Sequence, residues 1–238
     1  MNNLSIHIGK RIRYYRKAQN LTISQLADMI CKSKSSISKY ENAEVSIDIE
    51  TLSAISNALN IPLSQLIDYS ESSASSSFNH LEGFFHNTNL FYMYNTFFNK
   101  KIIQSVLIIK PSSNYEADCY FDIKNTDDYY NCGCLYHGHM TSSYTHVNFH
   151  LSNEINAADE ISLFFNNLFY NTNTTTGLIS SISEHLIVPC AGKTILSKIP
   201  IKSLAQLNEL FQFTTNEQKY LRSNNMLVIE RGDSASEK

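Results

Sequence analysis

No stretch of this sequence stays apolar long enough to cross a membrane. The longest aliphatic run is Val106 to Ile109, against the roughly 20 residues that a spanning helix needs. The first residues, Met-Asn-Asn-Leu-Ser-Ile-His-Ile, hold no apolar core of signal-peptide length before basic residues begin. A cytoplasmic location with no membrane partner is therefore expected. Cysteines number only five, an odd count that argues against a disulfide framework and for reduced thiols. Also missing are a glycine-rich phosphate loop and any recognisable nucleophile motif. The expectation is a protein that is not an enzyme and needs no cofactor.

What is present describes an ordinary globular chain: 238 residues, 42% hydrophobic and 17% charged. That length exceeds the usual size of one domain, so two are expected. The net charge of -3 conceals an asymmetry. Up to Lys39 the basic residues are Lys10, Arg11, Arg13, Arg16, Lys17, Lys32, Lys34 and Lys39, set against Asp28 alone. A basic end on an acidic protein is the electrostatic footprint of nucleic-acid binding. A merely solubilising surface would mix the signs.

The basic end also carries helix signals. A first helix is predicted from Ser5 to Gln19, with Leu4, Ile8, Ile12 and Tyr15 on one face and Lys10, Arg13 and Lys17 on the other. Thr22-Ile23-Ser24-Gln25 opens a second helix as a capping box, in which the threonine and glutamine side chains satisfy each other's end amides. Leu26, Ala27 and Ile30 should then point inward. Ser33 to Asn42 reads as a third helix, capped by the Ser33 hydroxyl. Ile37 and Tyr40 mark its buried stripe, and Lys34, Ser35, Ser38 and Lys39 its outer face. Long donors and small hydroxyls on one face suit the reading of base edges in a major groove. Asp48 should cap a fourth helix, packed through Leu52, Ile55 and Leu59 and ended at Asn60 by a left-handed residue. Pro62 opens a short fifth, with Leu63, Leu66 and Ile67 closing the core.

In order, this region reads Gly-Lys-Arg-Ile-Arg, Leu-Thr-Ile-Ser-Gln-Leu-Ala, Ser-Ser-Ile-Ser-Lys-Tyr-Glu-Asn, Glu-Thr-Leu-Ser-Ala-Ile-Ser-Asn-Ala-Leu-Asn and Pro-Leu-Ser-Gln-Leu. It resembles the XRE/Cro family of phage-repressor-like helix-turn-helix regulators over residues 1–69. The resemblance implies double-stranded DNA as partner and a homodimer on paired half-sites. It implies that Lys39 contacts a guanine, with Lys34, Ser35 and Ser38 nearby, and that Thr22, Ser24, Gln25 and Arg13 meet the phosphate backbone. It also implies an ion pair between Arg16 and Glu41. One departure stands out: Cys31 occupies a position where glycine is usual, so a left-handed turn there would be strained.

Residues 70–79 read as a flexible linker, because Ser70 to Ser77 holds six serines and no apolar residue larger than alanine to bury. Residues 80–238 should form an antiparallel β-rich domain, a barrel or a curved meander, which makes the whole chain α+β. Strands are predicted at Leu90 to Phe97, Lys101 to Lys110, Ala117 to Lys124, Cys132 to Met140, Tyr144 to Leu151, Glu160 to Leu168, Gly177 to Ser183 and Lys193 to Ile199. Helices at Ser203 to Leu210 and Thr215 to Leu221 follow, then a last strand at Met226 to Ile229.

Cys132, Cys134, His137, His139, His146 and His150 invite a metal reading. A hairpin turning at Ser142-Ser143 sets His139 opposite His146. It puts the cysteines on the apolar face with Val147, Phe149 and Leu151, and the histidines on the other. Cysteine spacing of one residue also departs from that of structural zinc sites, so no metal is expected. Ala191-Gly192 and Ser197-Lys198 resemble pieces of self-cleaving repressors, but in the wrong order for self-cleavage. The β-rich domain is expected to dimerise, to sense a small-molecule or protein effector, or, in an antitoxin-like repressor, to bind a partner protein.

Overall fold

The computed structural model describes residues 3–67, 83–96, 101–110, 115–167, 172–182 and 187–230. The chain divides into two compact units, Met1–Ser72 and Ser73–Lys238. The serine-rich segment 70–79 lies outside the described residues, as do the expected strand ends Phe97, Leu168 and Ser183.

The first unit is helical: α1 (Asn3–Ala18), α2 (Ile23–Met29), α3 (Lys34–Glu41), α4 (Ile49–Ala58) and α5 (Leu63–Ile67). Its core gathers Ile12, Tyr15, Leu26, Ile37, Ile55, Leu59 and Leu66, all buried. Three expectations fail at the rim of that core. Leu4 is 36% and Ile67 is 44% exposed, while Arg11 is only 2% exposed and donates to the Tyr15 hydroxyl at 3.3 Å. Leu4 and Ile67 sit at the ends of α1 and α5. Arg11 is buried head as well as stem, with its guanidinium bonded to the Tyr15 hydroxyl one turn along α1. Gly9 lets α1 cross closely over the end of α3, because a Cβ there would stand 2.5 Å from the Tyr40 carbonyl oxygen.

The second unit is an eight-stranded closed barrel in which every strand pairs antiparallel with its neighbours in sequence. Its strands are β1 (Leu90–Thr96), β2 (Ile102–Ile109), β3 (Glu116–Phe121), β4 (Cys134–Ser142), β5 (His146–Asn153), β6 (Glu160–Asn166), β7 (Thr174–Ile182) and β8 (Pro189–Ser197). β8 returns to β1, with Met93 opposite Leu196, and closes the wall. Alternate residues turn inward. Phe91, Met93, Leu107, Cys119, Tyr136, Met140, Phe149, Leu163, Phe165 and Leu196 fill the interior. A 3-10 turn, Gly83–Phe85, adds Phe84 and Phe85, both fully buried. Phe85 lies 6.0 Å from Phe149 and 6.1 Å from Phe165 between ring centres, and the Lys198 ammonium lies 5.0 Å over the Phe84 ring.

Two helices follow the barrel, α6 (Leu204–Phe211) and α7 (Thr215–Asn224). Leu207 and Ile201 pack on the outward Tyr94 and Ile195 of the wall. The Tyr94 hydroxyl accepts the Ile201 amide at 2.7 Å. α7 is held by a buried ion pair: the Lys193 ammonium donates to Glu217 at 2.9 Å and to the Gln212 carbonyl at 3.0 Å. The same Glu217 carboxylate accepts the Thr214 and Glu230 amides. Met226 to Ile229 is not a strand. The eight strands already close on one another, and the segment runs on to the Glu230 amide bound by Glu217.

Candidate nucleic-acid interface

α2 and α3 are joined by a turn that the sequence strains to make. The Ile30 amide donates to the Asp28 carbonyl, and the Lys32 amide to Ala27 at 2.9 Å, which closes the end of α2. Cys31 between them takes φ 54°, the left-handed value that a glycine would adopt freely. α2 begins with the full capping box: Thr22 Oγ1 accepts the Gln25 amide at 3.1 Å, and Gln25 Oε1 accepts the Thr22 amide at 2.8 Å. α3 begins at Ser33, whose hydroxyl accepts the Ser36 amide at 3.0 Å. The cap hydroxyl also bonds the Ser35 and Ser36 hydroxyls, at 2.9 and 2.8 Å.

On this frame Lys34, Ser35 and Lys39 are exposed on α3, and Ser38 is half-buried beside them. Thr22, Ser24 and Gln25 are exposed at the start of α2, and Arg13 is exposed on α1. The eight cations counted in the sequence are not equivalent. Arg11 and Arg16 are buried, which leaves Lys10, Arg13, Lys17, Lys32, Lys34 and Lys39 to supply surface charge.

Arg16 instead does structural duty. Its guanidinium gives Nε and Nη2 to the two oxygens of Glu41, the latter at 2.8 Å, and Nη1 to the Leu21 carbonyl at 2.7 Å. The Glu41 bond raises the Arg16 pKa beyond its ordinary range despite partial desolvation. The clamp ties the end of α3 to α1 and to the entry of α2, and so fixes how far α3 protrudes. Gln19 adds a bond to the Leu59 carbonyl, and Asp48 caps α4 through the Thr51 amide at 2.7 Å. That bond holds the Asp48 carboxyl below its usual pKa.

Two capped helices joined by a tight turn, the second presenting its polar face outward, form the geometry of a helix-turn-helix. A family model described as Helix-turn-helix, HTH_3, matches residues 12–66. Residues 12–66 are an HTH_3 domain. Such a domain marks a DNA-binding transcriptional regulator. Among solved structures, the P22 c2 repressor bound to a synthetic operator is 33% identical over 25% of this chain and 91% of its own, with a TM-score of 0.25. The restriction-modification controller protein C.AhdI from Aeromonas hydrophila is 23% identical over 26% of this chain and 92% of its own, with a TM-score of 0.25. An HTH_3 family transcriptional regulator from Vibrio cholerae spans 83% of this chain and 98% of its own, but at 12% identity and a TM-score of 0.27. No curated protein matches the chain. The HTH_3 assignment rests on the family model and covers the head, not the barrel.

The sequence reading had not found the outward cluster on β3 and β4. There the Asp118 carboxylate, 4% exposed, lies 2.7 Å from His137 Nδ1 and 3.3 Å from the Lys110 ammonium. Lys110, Asp118 and His137 are dispersed in sequence, so only the strand register brings them together.

Proposed function

We propose that this protein is a sequence-specific transcriptional regulator that inserts α3 of its HTH_3 domain into the major groove of duplex DNA. Lys39, Lys34, Ser35 and Ser38 face the base edges. Thr22, Ser24, Gln25 and Arg13 meet the flanking phosphates, where the free amides at the start of α2 favour an anion. The observation that carries this reading is the exposed polar face of α3, held out by the Arg16–Glu41 clamp. One such head contacts too few bases for strong selection, so the working unit is a dimer on half-sites about one helical turn apart.

For the barrel, we favour a dimerisation or partner-binding platform over a container for a small ligand. What supports this is the interior, filled by Phe84, Phe85, Phe91, Phe149 and Phe165 among others. A ligand barrel keeps its lumen for its guest.

The deciding experiment is anisotropy titration of the full-length protein on duplexes selected from a random pool. Lys39→Ala is expected to lose discrimination at one base position, by about 1 to 3 kcal/mol. Uniform weakening on every duplex would make Lys39 a phosphate contact. No duplex binding by the unaltered protein would refute the whole reading.

A further inference from the structure

A cleft of about 400 Å³ opens on the outer wall of the barrel, between β1 and β2, the connection from β3 to β4, and the start of α6. Alternation along the strands turns Tyr94, Ile102 and Gln104 outward, since Met93 and Leu107 face the interior. Tyr94 stands opposite Gln104 in the register. These three side chains line the cleft from the barrel, and Ile201, Leu204 and Leu207 line it from the segment that follows β8. Tyr94, Ile201 and Leu207 are buried and give it an apolar floor, while Leu204 is 68% exposed at its rim.

Two lysines complete the cleft, and the backbone brings both of them to it. The Ile123 amide donates to the Gln104 carbonyl at 2.8 Å, which fixes the β3–β4 connection beside β2 just before Lys124. The Ile201 amide donates to the Tyr94 hydroxyl at 2.7 Å, which fixes the segment before α6 just ahead of Lys202. Both lysines are exposed, and among the described residues neither ammonium is paired with a carboxylate. Nor does any described acidic side chain line the cleft: Asp127 and Asp128 share a 3-10 turn with Thr126, but only Thr126 lines it. The Asp127 amide donates to Asn125 Oδ1 at 3.1 Å, which leaves the Asn125 NH2 as a further donor. At the start of α6 the Ser203 hydroxyl accepts the Gln206 amide at 3.2 Å, so the amides of Leu204 and Ala205 add their partial positive charge. Donors and positive charge thus stand over an apolar floor.

We propose that this cleft binds a small carboxylic acid with an apolar body, its carboxylate held by Lys124 and Lys202 and its hydrocarbon laid on Tyr94, Ile201 and Leu207. An inorganic anion would use the lysines but not the floor, and a neutral apolar molecule the floor but not the lysines. An amphipathic acid uses both. Ligand sites run from roughly 300 to 1,000 Å³, so this one suits a short fatty or aryl acid. It lies outside a barrel whose lumen is filled by side chains, so a platform and a small ligand do not exclude each other. Binding there requires neither DNA contact by the head nor dimerisation.

The test is titration of hexanoate into full-length protein, followed through backbone amide shifts by NMR. Saturable changes are expected at residues 94, 102–104, 124–126 and 201–207. Hexanamide, the neutral counterpart, should bind about tenfold more weakly, the worth of charge-assisted hydrogen bonds. Inorganic phosphate at equal concentration should not displace the acid. Lys124→Gln/Lys202→Gln should weaken hexanoate by about tenfold and leave hexanamide unchanged, whereas Leu204→Ser should weaken both. Absence of saturable shifts, or shifts confined to other parts of the chain, would overturn the proposal. So would equal binding of acid and amide, or displacement by phosphate, since the first removes the lysines from the site and the second removes the floor. If the double variant does not fold, the comparison of hexanoate, hexanamide and phosphate on the unaltered protein decides alone.

Discussion

Glu41 receives both the Nε and the Nη2 of Arg16, two helices and 25 positions away in the chain. The side chains are 3% and 9% exposed, so neither charge is left to water. Removing one partner of a buried pair strands the other and costs about 3 to 5 kcal/mol. In Glu41→Ala, amide exchange in α1 and α3 should therefore accelerate by roughly a hundredfold or more, while exchange in the barrel strands is unchanged. Unaltered exchange in α3 would show that the clamp adds nothing to the head.

Arg13 is exposed on α1 and bonds to no base in the proposed docking. Arg13→Ala should lower the slope of log affinity against log salt by about 1 without altering sequence preference. A slope identical to that of the unaltered protein would remove Arg13 from the phosphate backbone.

Lys193→Ala should release α7 from the barrel. Glu217 is 1% exposed and would be left buried without its cationic partner. Cleavage by a protease within α7 should become faster at a concentration that leaves the barrel intact. Lys193→Met, which keeps the stem but not the charge, should behave in the same way. If only the alanine variant is cleaved, packing rather than charge holds the helix.

The cysteines should separate cleanly by reactivity. Cys31 is exposed on the turn before α3, whereas Cys119 is fully buried in the barrel and burial pushes its pKa up. Iodoacetamide should modify Cys31 within the native state and Cys119 only after denaturation. Equal labelling of both would mean that the barrel opens readily. Because α3 presents Lys34 and Lys39 just beyond Cys31, alkylation there should also weaken duplex binding.

Much of this was readable in the sequence because the signals are local. The Thr22–Gln25 box, the Ser33 and Asp48 caps and the left-handed Asn60 are each decided within a few residues, and the structure has them all. The strand faces were equally legible, since alternation alone sets them. Register was not. The hairpin can turn at 142–143 or at 143–146, and the choice depends on Ser143 capping His146 with both hydroxyl and amide. The two registers differ by four residues, an even number, so every side chain keeps its face while its partner changes. That is why Cys134 still packs against the core while His139 faces His150 instead of His146; Cys132, expected on the same face, lies before β4 and is half-buried. Burial of Arg11 was invisible for a similar reason: a count of charges along a chain records sign, not depth.

The return of β8 to β1 has a consequence for how copies of this chain can meet. A sheet with a free border exposes a row of unpaired amides and carbonyls, on which a second copy can add a strand. Here each of the eight strands already has two neighbours, so no border is left. Among the described residues, a second copy therefore cannot add a strand to this wall by backbone pairing, which leaves side chains such as those on the outer wall and on α6 and α7. The specificity of such a contact lies in residues that point away from the barrel axis, and can change by substitution there without disturbing a single backbone pair.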